Sequence, residues 1–350
     1  MRISARSLWP VAAVLMLLLG GQPVAAQGHP IEAEWAKYRD RFVTAEGRVL
    51  DTGNKEVSHT EGQGWAMLFA EAAGDRAAFE KLWVWTRTNL QRRDNALFSW
   101  RFDPADDKTP VADPNSASDG DILIAWALIR ASRRWNRPEY ADAARRTVSD
   151  IRRRLLVAAP GRRLVLLPGA AGFKGKDGVT IVNPSYYVYP ALKDFARIMP
   201  APEWNRLRRD GLEMLADARF GRWGLTPDWI EFDRSGEVRP AAKFPARFGF
   251  EAIRIPLYLI WAREGTPERL ASYLDFWNEF GAKPIPAWTD VKDNSVAPYA
   301  GSTGFQAIIQ LARGVGQPTA PSLPNFGDKD DYYSASLALL AAIAQRETAR

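Results

Sequence analysis

The sequence predicts an all-α protein, a toroid of paired inner and outer helices. Three observations carry that reading. About a dozen stretches of ordinary helix length space their apolar residues three and four apart. The connections between them are short and turn-rich. Few segments read as strands, and the strand–helix–strand rhythm of a parallel sheet is absent. No linker stands out past the N-terminal leader, so one domain is expected. In such a toroid the connections at one end surround a central cleft.

The chain has 350 residues and is 46% hydrophobic, enough for one large domain or two small ones. Its start is a leader. Arg2 and Arg6 precede an apolar run over 9–20, and Val24-Ala25-Ala26 offers small residues for cleavage. Residues 1–26 are therefore expected to be a signal peptide, with a single domain over 27–350. No later run is long and apolar enough for a membrane span, so no stable insertion is expected once the leader is removed.

Helices are expected over 31–42, from Glu61 to about residue 73, and over 75–90. In the last of these Phe79, Leu82, Trp83 and Leu90 line one face, broken only by Thr86. Residues 95–102 form an aromatic patch, a strand or a loop presenting Trp100. Residues 103–118 are turn-rich, and a helix follows from Ser118. Another spans 140–156. Residues 164–171 read as extended and 172–182 as a loop. Pro184 and Pro190 brake regular structure around Tyr186, Tyr187 and Tyr189. Helices at 191–198 and 204–220 precede a turn-bounded stretch over 221–236. Residues 248–260 are largely apolar, with Pro256 placed to fit near a helix start, and the remaining helices fall at 267–279, 302–312 and 331–345.

Composition narrows the chemistry. The net charge of +6 is modest and interspersed, so no nucleic-acid footprint is visible. Arg152, Arg153, Arg154, Arg162 and Arg163 read as solvated faces. No cysteine is present, which excludes disulfides and thiolate catalysis. The two histidines, His29 and His59, form no metal-binding motif, and no cofactor is expected. The 14 tryptophans serve either a large core or flat platforms for sugar rings. Carboxylates with tryptophans, lacking cysteine or a metal motif, favour carbohydrate chemistry.

Two helix mouths carry the candidate acids. Thr60 can cap the first, with Gln63 three residues on, which puts Glu61 in the first turn between small residues. Ser118 and Asp121 repeat that grammar around Asp119. A first-turn carboxylate is common, because it faces the positive end of the helix dipole. The dipole lowers its pKa, the wrong direction for a general acid. If Glu61 is an acid, burial or a neighbouring carboxylate must outweigh the dipole. Glu251 and Arg254 stand three apart among apolar residues, as either a surface salt bridge or a buried pair.

These stretches resemble glycoside hydrolase family 8, in particular its members associated with bacterial cellulose synthase. The strongest match is Ala117-Ser118-Asp119-Gly120-Asp121 with the apolar run to Leu128. Ser58 to Gly64, Asn183-Pro184-Ser185-Tyr186, Leu225-Thr226-Pro227-Asp228-Trp229, Ala252 to Tyr258 and Tyr332 to Leu337 follow in order. The resemblance implies an (α/α)6 barrel and inverting endo-hydrolysis of β-1,4-glucan. It places the general acid at Glu61, and at Asp119 the carboxylate that binds and distorts the sugar at the scissile bond. Tyr186 and Arg254 fall where the attacking water and the base are held, and Trp100 on a sugar-stacking position. The family's base is an aspartate, but here that position is Glu251. The longer side chain shifts the carboxylate by roughly an angstrom.

The expected partner is a β-1,4-glucan chain in the periplasm or secreted beyond it, with the cellulose synthase and export complex as a further partner. The same fold cutting chitosan, xylan or mixed-linkage glucan remains open. So does a weakly active or non-catalytic protein that guides glucan during export, for which the change at the base position is the motive.

Overall fold

A computed structural model of the chain describes residues 31–106 and 108–349. The expected leader lies outside the described residues. Among them eleven α-helices follow one another: α1 (Ile31–Phe42), α2 (Thr60–Ala73), α3 (Arg76–Leu90), α4 (Ser118–Trp135), α5 (Pro138–Arg154), α6 (Tyr189–Ile198), α7 (Pro202–Asp217), α8 (Arg254–Trp261), α9 (Pro267–Glu279), α10 (Thr303–Arg313) and α11 (Tyr332–Thr348).

The helices α2, α4, α8 and α11 are buried on nearly every side, as apolar residues all round a helix require. With α6 and α10 they close an inner ring: α2 packs on α4, α4 on α6, α6 on α8, α8 on α10 and α11, and α11 on α2. The helices α1, α3, α5, α7 and α9 bury one face each and form the outer layer. Between α10 and α11 residues 314–331 hold turns and bends where a sixth outer helix would lie. The expected toroid is thus present, with eleven helices.

Small antiparallel sheets decorate the connections, more strand than the sequence suggests. They pair β1 (Ser58–His59) with β2 (Arg101–Phe102), and β3 (Leu156–Ala158) with β4 (Leu164–Leu166). A three-stranded sheet orders β5 (Thr180–Val182), β6 (Ile230–Phe232) and β7 (Val238–Pro240). The last pair is β8 (Arg247–Phe248) with β9 (Thr289–Asp290). Val182 sits opposite Ile230, so the residues after β5 and before β6 meet at the mouth of the ring.

Three local expectations need correction. The cap of α2 is His59 and not Thr60: its Nδ1 accepts the Gly62 N–H at 3.3 Å. Gln63 makes no capping box. It is fully buried, and its amide pairs with the Val49 N–H, the Gly47 carbonyl and the Thr86 hydroxyl instead. Ser118 does not cap α4, which starts after Ala117 with no side-chain cap, and Asp121 accepts the Phe98 N–H at 2.8 Å. Gln63 and Asp121 answer to tertiary partners before local ones. Pro190, expected to brake the chain, lies in the first turn of α6, where its missing N–H costs nothing.

Ion pairs tie the inner helices at the end away from the mouth. Arg130 of α4 donates to Glu71 at the end of α2 (2.6 Å) and to Glu347 at the end of α11 (2.6 and 3.0 Å). Glu347 also accepts the Trp261 indole N–H at the end of α8. The N-termini of these helices, with Glu61, Asp119, Arg254 and Tyr332, therefore share the opposite end. Glycines set how closely α2 and α4 approach there. A Cβ on Gly120 would lie 2.0 Å from the Thr60 hydroxyl oxygen, and one on Gly64 2.6 Å from the Leu123 Cβ. Gly120→Ala should therefore cost about 3 kcal/mol in urea unfolding, the upper end for overpacking. Gly327→Ala, whose Cβ would meet nothing within 4 Å, should cost nothing measurable.

Candidate active site

Three elements deliver acids to the mouth. The start of α2 is anchored by the β1–β2 pairing and by the Thr60 N–H on the Trp100 carbonyl at 3.0 Å. The start of α4 is anchored by the Ser118 N–H on the Pro168 carbonyl at 2.8 Å. A turn over 249–253, between β8 and α8, carries Glu251. An open cavity at the mouth is lined by Asp51, His59, Glu61, Glu251, Arg254 and Tyr333, among others.

A single nitrogen organises the cluster. Arg254 Nη2 lies 2.5 Å from Glu251 Oε2, 3.0 Å from Glu61 Oε1 and 4.0 Å from Asp119 Oδ2. It also donates to the Ser185 hydroxyl at 3.0 Å, while Nη1 donates to the Tyr333 hydroxyl at 3.1 Å. The guanidinium carbon stands 5.6 Å from the Trp65 ring centre, within cation–π range. Arg254 is 3% exposed, which decides the sequence's open question in favour of a buried pair. Glu251 remains the most open of the three acids, its side chain 31% exposed.

Burial raises Glu61 well above the usual carboxylate range. Arg254 opposes the rise, while the charges of Asp119 and Glu251 and a hydrogen bond to Asp119 add to it. Burial also raises Asp119, but the Glu61 hydrogen bond and Arg254 pull it back. The proton therefore sits on Glu61, which donates to the Asp119 carboxylate. Burial and like charge outweigh the helix dipole, the condition for Glu61 to serve as a general acid.

Tyr186 stands among the same acids. Burial and the charges of Asp119, Glu251 and Glu61 push its phenol well up, so it stays a neutral hydroxyl. Trp100 lies beside the mouth with a half-buried ring, its indole N–H on Asp113 at 2.8 Å. The structure gives Trp100 no contact with the acid cluster.

Several contributors escape residue-by-residue reading. Asn183 and Ser185 reach Glu251 Oε2 at 3.3 and 3.5 Å, although the sequence points only to Tyr186 of their motif. His59 caps the acid's helix, and its Nε2 meets Asp51 at 3.2 Å. Since Nδ1 accepts from Gly62, the proton is assigned to Nε2, facing Asp51. Phe173, Trp229 and Phe244 stack nearly parallel, at 7° and 8°, and Tyr186 meets Trp229 edge-on. All three stacked rings are partly exposed. Their residues lie far apart in sequence, so no local pattern announces the platform. Among the described residues no His, Asp or Glu grouping has the geometry to hold a metal. The cation among the acids is Arg254.

Comparison with known proteins shows the family and the fold. The family model for glycosyl hydrolases family 8 matches residues 5–347. A probable endoglucanase of Novacetimonas hansenii is 43% identical over 318 residues, 91% of each chain. The solved endo-β-1,4-glucanase of Acetobacter xylinum is 42% identical, with a TM-score of 0.86 over 92% of this chain and 99% of that one. A family 8 endoglucanase of Klebsiella pneumoniae is 41% identical, with a TM-score of 0.85 over 90% and 99%.

Arg254 lowers both Glu61 and Asp119. Arg254→Met should therefore raise the titration of both carboxyls, read by carbon NMR of labelled side chains. An unchanged titration would show that the guanidinium is not what holds their protons down.

Proposed function

The chain belongs to glycosyl hydrolases family 8 and is an endo-acting glucan hydrolase, and on that premise we propose how its residues divide the work. A β-1,4-glucan crosses the mouth of the ring and stacks on exposed aromatic rings, those around Trp229 and Trp100. Glu61 gives its proton to the leaving glycosidic oxygen. Water attacks the anomeric carbon from the opposite face, the C–O bond breaks, and Glu251 takes the water's proton. Asp119 accepts from a ring hydroxyl and favours the flattened, oxocarbenium-like sugar. Tyr186 holds the water, and Arg254 holds Glu251 until the glucan enters. The reaction uses two carboxyl groups and water, and calls on no cofactor.

The observation that carries this reading is the convergence of Glu61, Glu251 and Asp119 on one arginine, where burial raises the Glu61 carboxyl well above the usual range. The same geometry sets a condition. Glu61 Oε1 and Glu251 Oε2 both touch Arg254 Nη2, so they lie closer together than the about 6.5–9.5 Å that an inverting pair needs for its water. Glu251 must swing away from Arg254 when the glucan enters. Its partial exposure leaves room, and the extra methylene over aspartate supplies the reach.

The signal peptide expected over residues 1–26 supports export to the periplasm or beyond, and no described helix is long and apolar enough to cross a membrane. Residues 27–350 then form one mature catalytic domain. We place its work on glucan emerging from a cellulose synthase and export complex, a reading that rests on the family resemblance. Pull-down of the synthase with the mature chain tests it.

Proton NMR of cellohexaose cleavage tests the mechanism. The α-anomer should appear first, and Glu61→Gln and Glu251→Ala should each abolish it. Initial β-anomer would overturn inversion and make Glu251 a nucleophile at the spacing it already has. The pH profile has a definite sign. Glu61 works only when protonated, and its pKa is raised, so activity should persist well above the ordinary carboxylate range. It should then fall as pH rises through the Glu61 pKa.

A further inference from the structure

The motif Leu225-Thr226-Pro227-Asp228-Trp229 carries an acid that the mechanism above does not use. Asp228 precedes β6 and lies beneath the turn that bears Glu251. Its Oδ1 accepts three backbone N–H groups of that turn: Gly249 at 3.1 Å, Glu251 at 3.2 Å and Ala252 at 2.7 Å. Its own N–H donates to the Arg247 carbonyl at 2.6 Å, so one residue grips both ends of the segment. The turn closes on itself through the Ile253 N–H on the Gly249 carbonyl at 3.0 Å and the Arg254 N–H on the Glu251 carbonyl at 3.1 Å.

Physical need explains the contact. The first N–H groups of a helical turn have no partner within the helix. The first N–H groups of α8 find the Glu251 and Ala252 carbonyls, which leaves the N–H groups of the turn before it, at Gly249, Glu251 and Ala252, in need of an acceptor. Asp228 meets the need from 21 to 24 residues upstream. A carboxylate oxygen accepting several N–H groups makes strong, charge-assisted bonds, and these fix where the turn sits. Gly249 completes the fit. A Cβ there would come within 3.1 Å of the Trp288 Cβ and 3.3 Å of Asp228 Oδ2. Burial, with the Glu251 charge adding to it, pushes the Asp228 carboxyl up to about 7.

We propose that Asp228 is a positioning residue for the reaction: by clamping the turn Gly249–Ala252 it sets where the Glu251 carboxylate stands when it takes the proton from water. The inference rests on Glu251 as the base. It answers a question that the base position raises, namely how a longer side chain is aimed accurately enough to work. Asp228 touches neither the water nor the glucan in this role. The neighbouring Trp229 belongs to the aromatic stack, so the base turn and the sugar platform share one short segment.

The test is steady-state hydrolysis of cellohexaose by Asp228→Ala, Asp228→Asn, Asp228→Glu and Glu251→Gln, and by the double variant Asp228→Ala with Glu251→Gln, each checked for folding by circular dichroism. A displacement near 1 Å costs on the order of 100-fold in rate. Asp228→Ala should lose about that in kcat with KM unchanged. Asp228→Asn should restore most of it, because its amide oxygen accepts the same N–H groups. Asp228→Glu keeps an acceptor but moves it, so kcat should fall even if the alanine variant fails to fold. The double variant should be no slower than Glu251→Gln alone, since Asp228 acts through Glu251. If Glu251→Gln is inactive while Asp228→Ala and Asp228→Glu keep wild-type kcat, the positioning role falls and the base assignment stands. If Glu251→Gln stays active, the base assignment falls. Loss of activity in Asp228→Asn would then make Asp228 itself the acid that activates water, and the positioning role would fall with it.

Discussion

Everything at the mouth depends on one buried guanidinium. Three acids from α2, α4 and the turn before α8 converge on Arg254. Without a cation between them, buried like charges would force protons onto the acids or drive the elements apart. Arg254 itself is desolvated, yet its acidic and phenolic neighbours hold it well above its usual range. Trp65 behind it, with Tyr333 and Ser185 beside it, fixes its plane. A lysine would offer no planar fork for this many partners.

The toroid gives that arginine its company. Inner helices that share one direction put their N-terminal ends at the mouth and their C-terminal ends at the Arg130–Glu71–Glu347 network. Positive dipole ends face the acids and would hold their pKa values down. Glu61 nevertheless keeps its proton, because desolvation is the larger effect. The close α2–α4 contact makes this possible. It brings Asp119 near enough to accept from Glu61, and that proximity exists because Gly120 and Gly64 lack side chains.

Much of the fold was legible because helices are local. Apolar spacing located α1, α2, α3, α9 and α11 to within a few residues, and the stripe Phe79, Leu82, Trp83, Leu90 is buried as expected. Caps were less legible. Thr60 and Ser118 have the right chemistry, but His59 caps α2 and no side chain caps α4. The short strands went largely unseen, since two or three residues hold no periodicity and exist only through their partners.

The sequence by itself determined the helical architecture, the acids at two helix mouths and the family, because each is written in residues close together along the chain. Only the tertiary structure decided how those acids behave. That Glu61 holds a proton, that one nitrogen of Arg254 serves three carboxyl groups, and that Asp228 grips the turn of Glu251 all depend on distances between distant segments. Desolvation and Coulomb interactions are set by those distances and by the exclusion of water, and neither exists until the ring has closed.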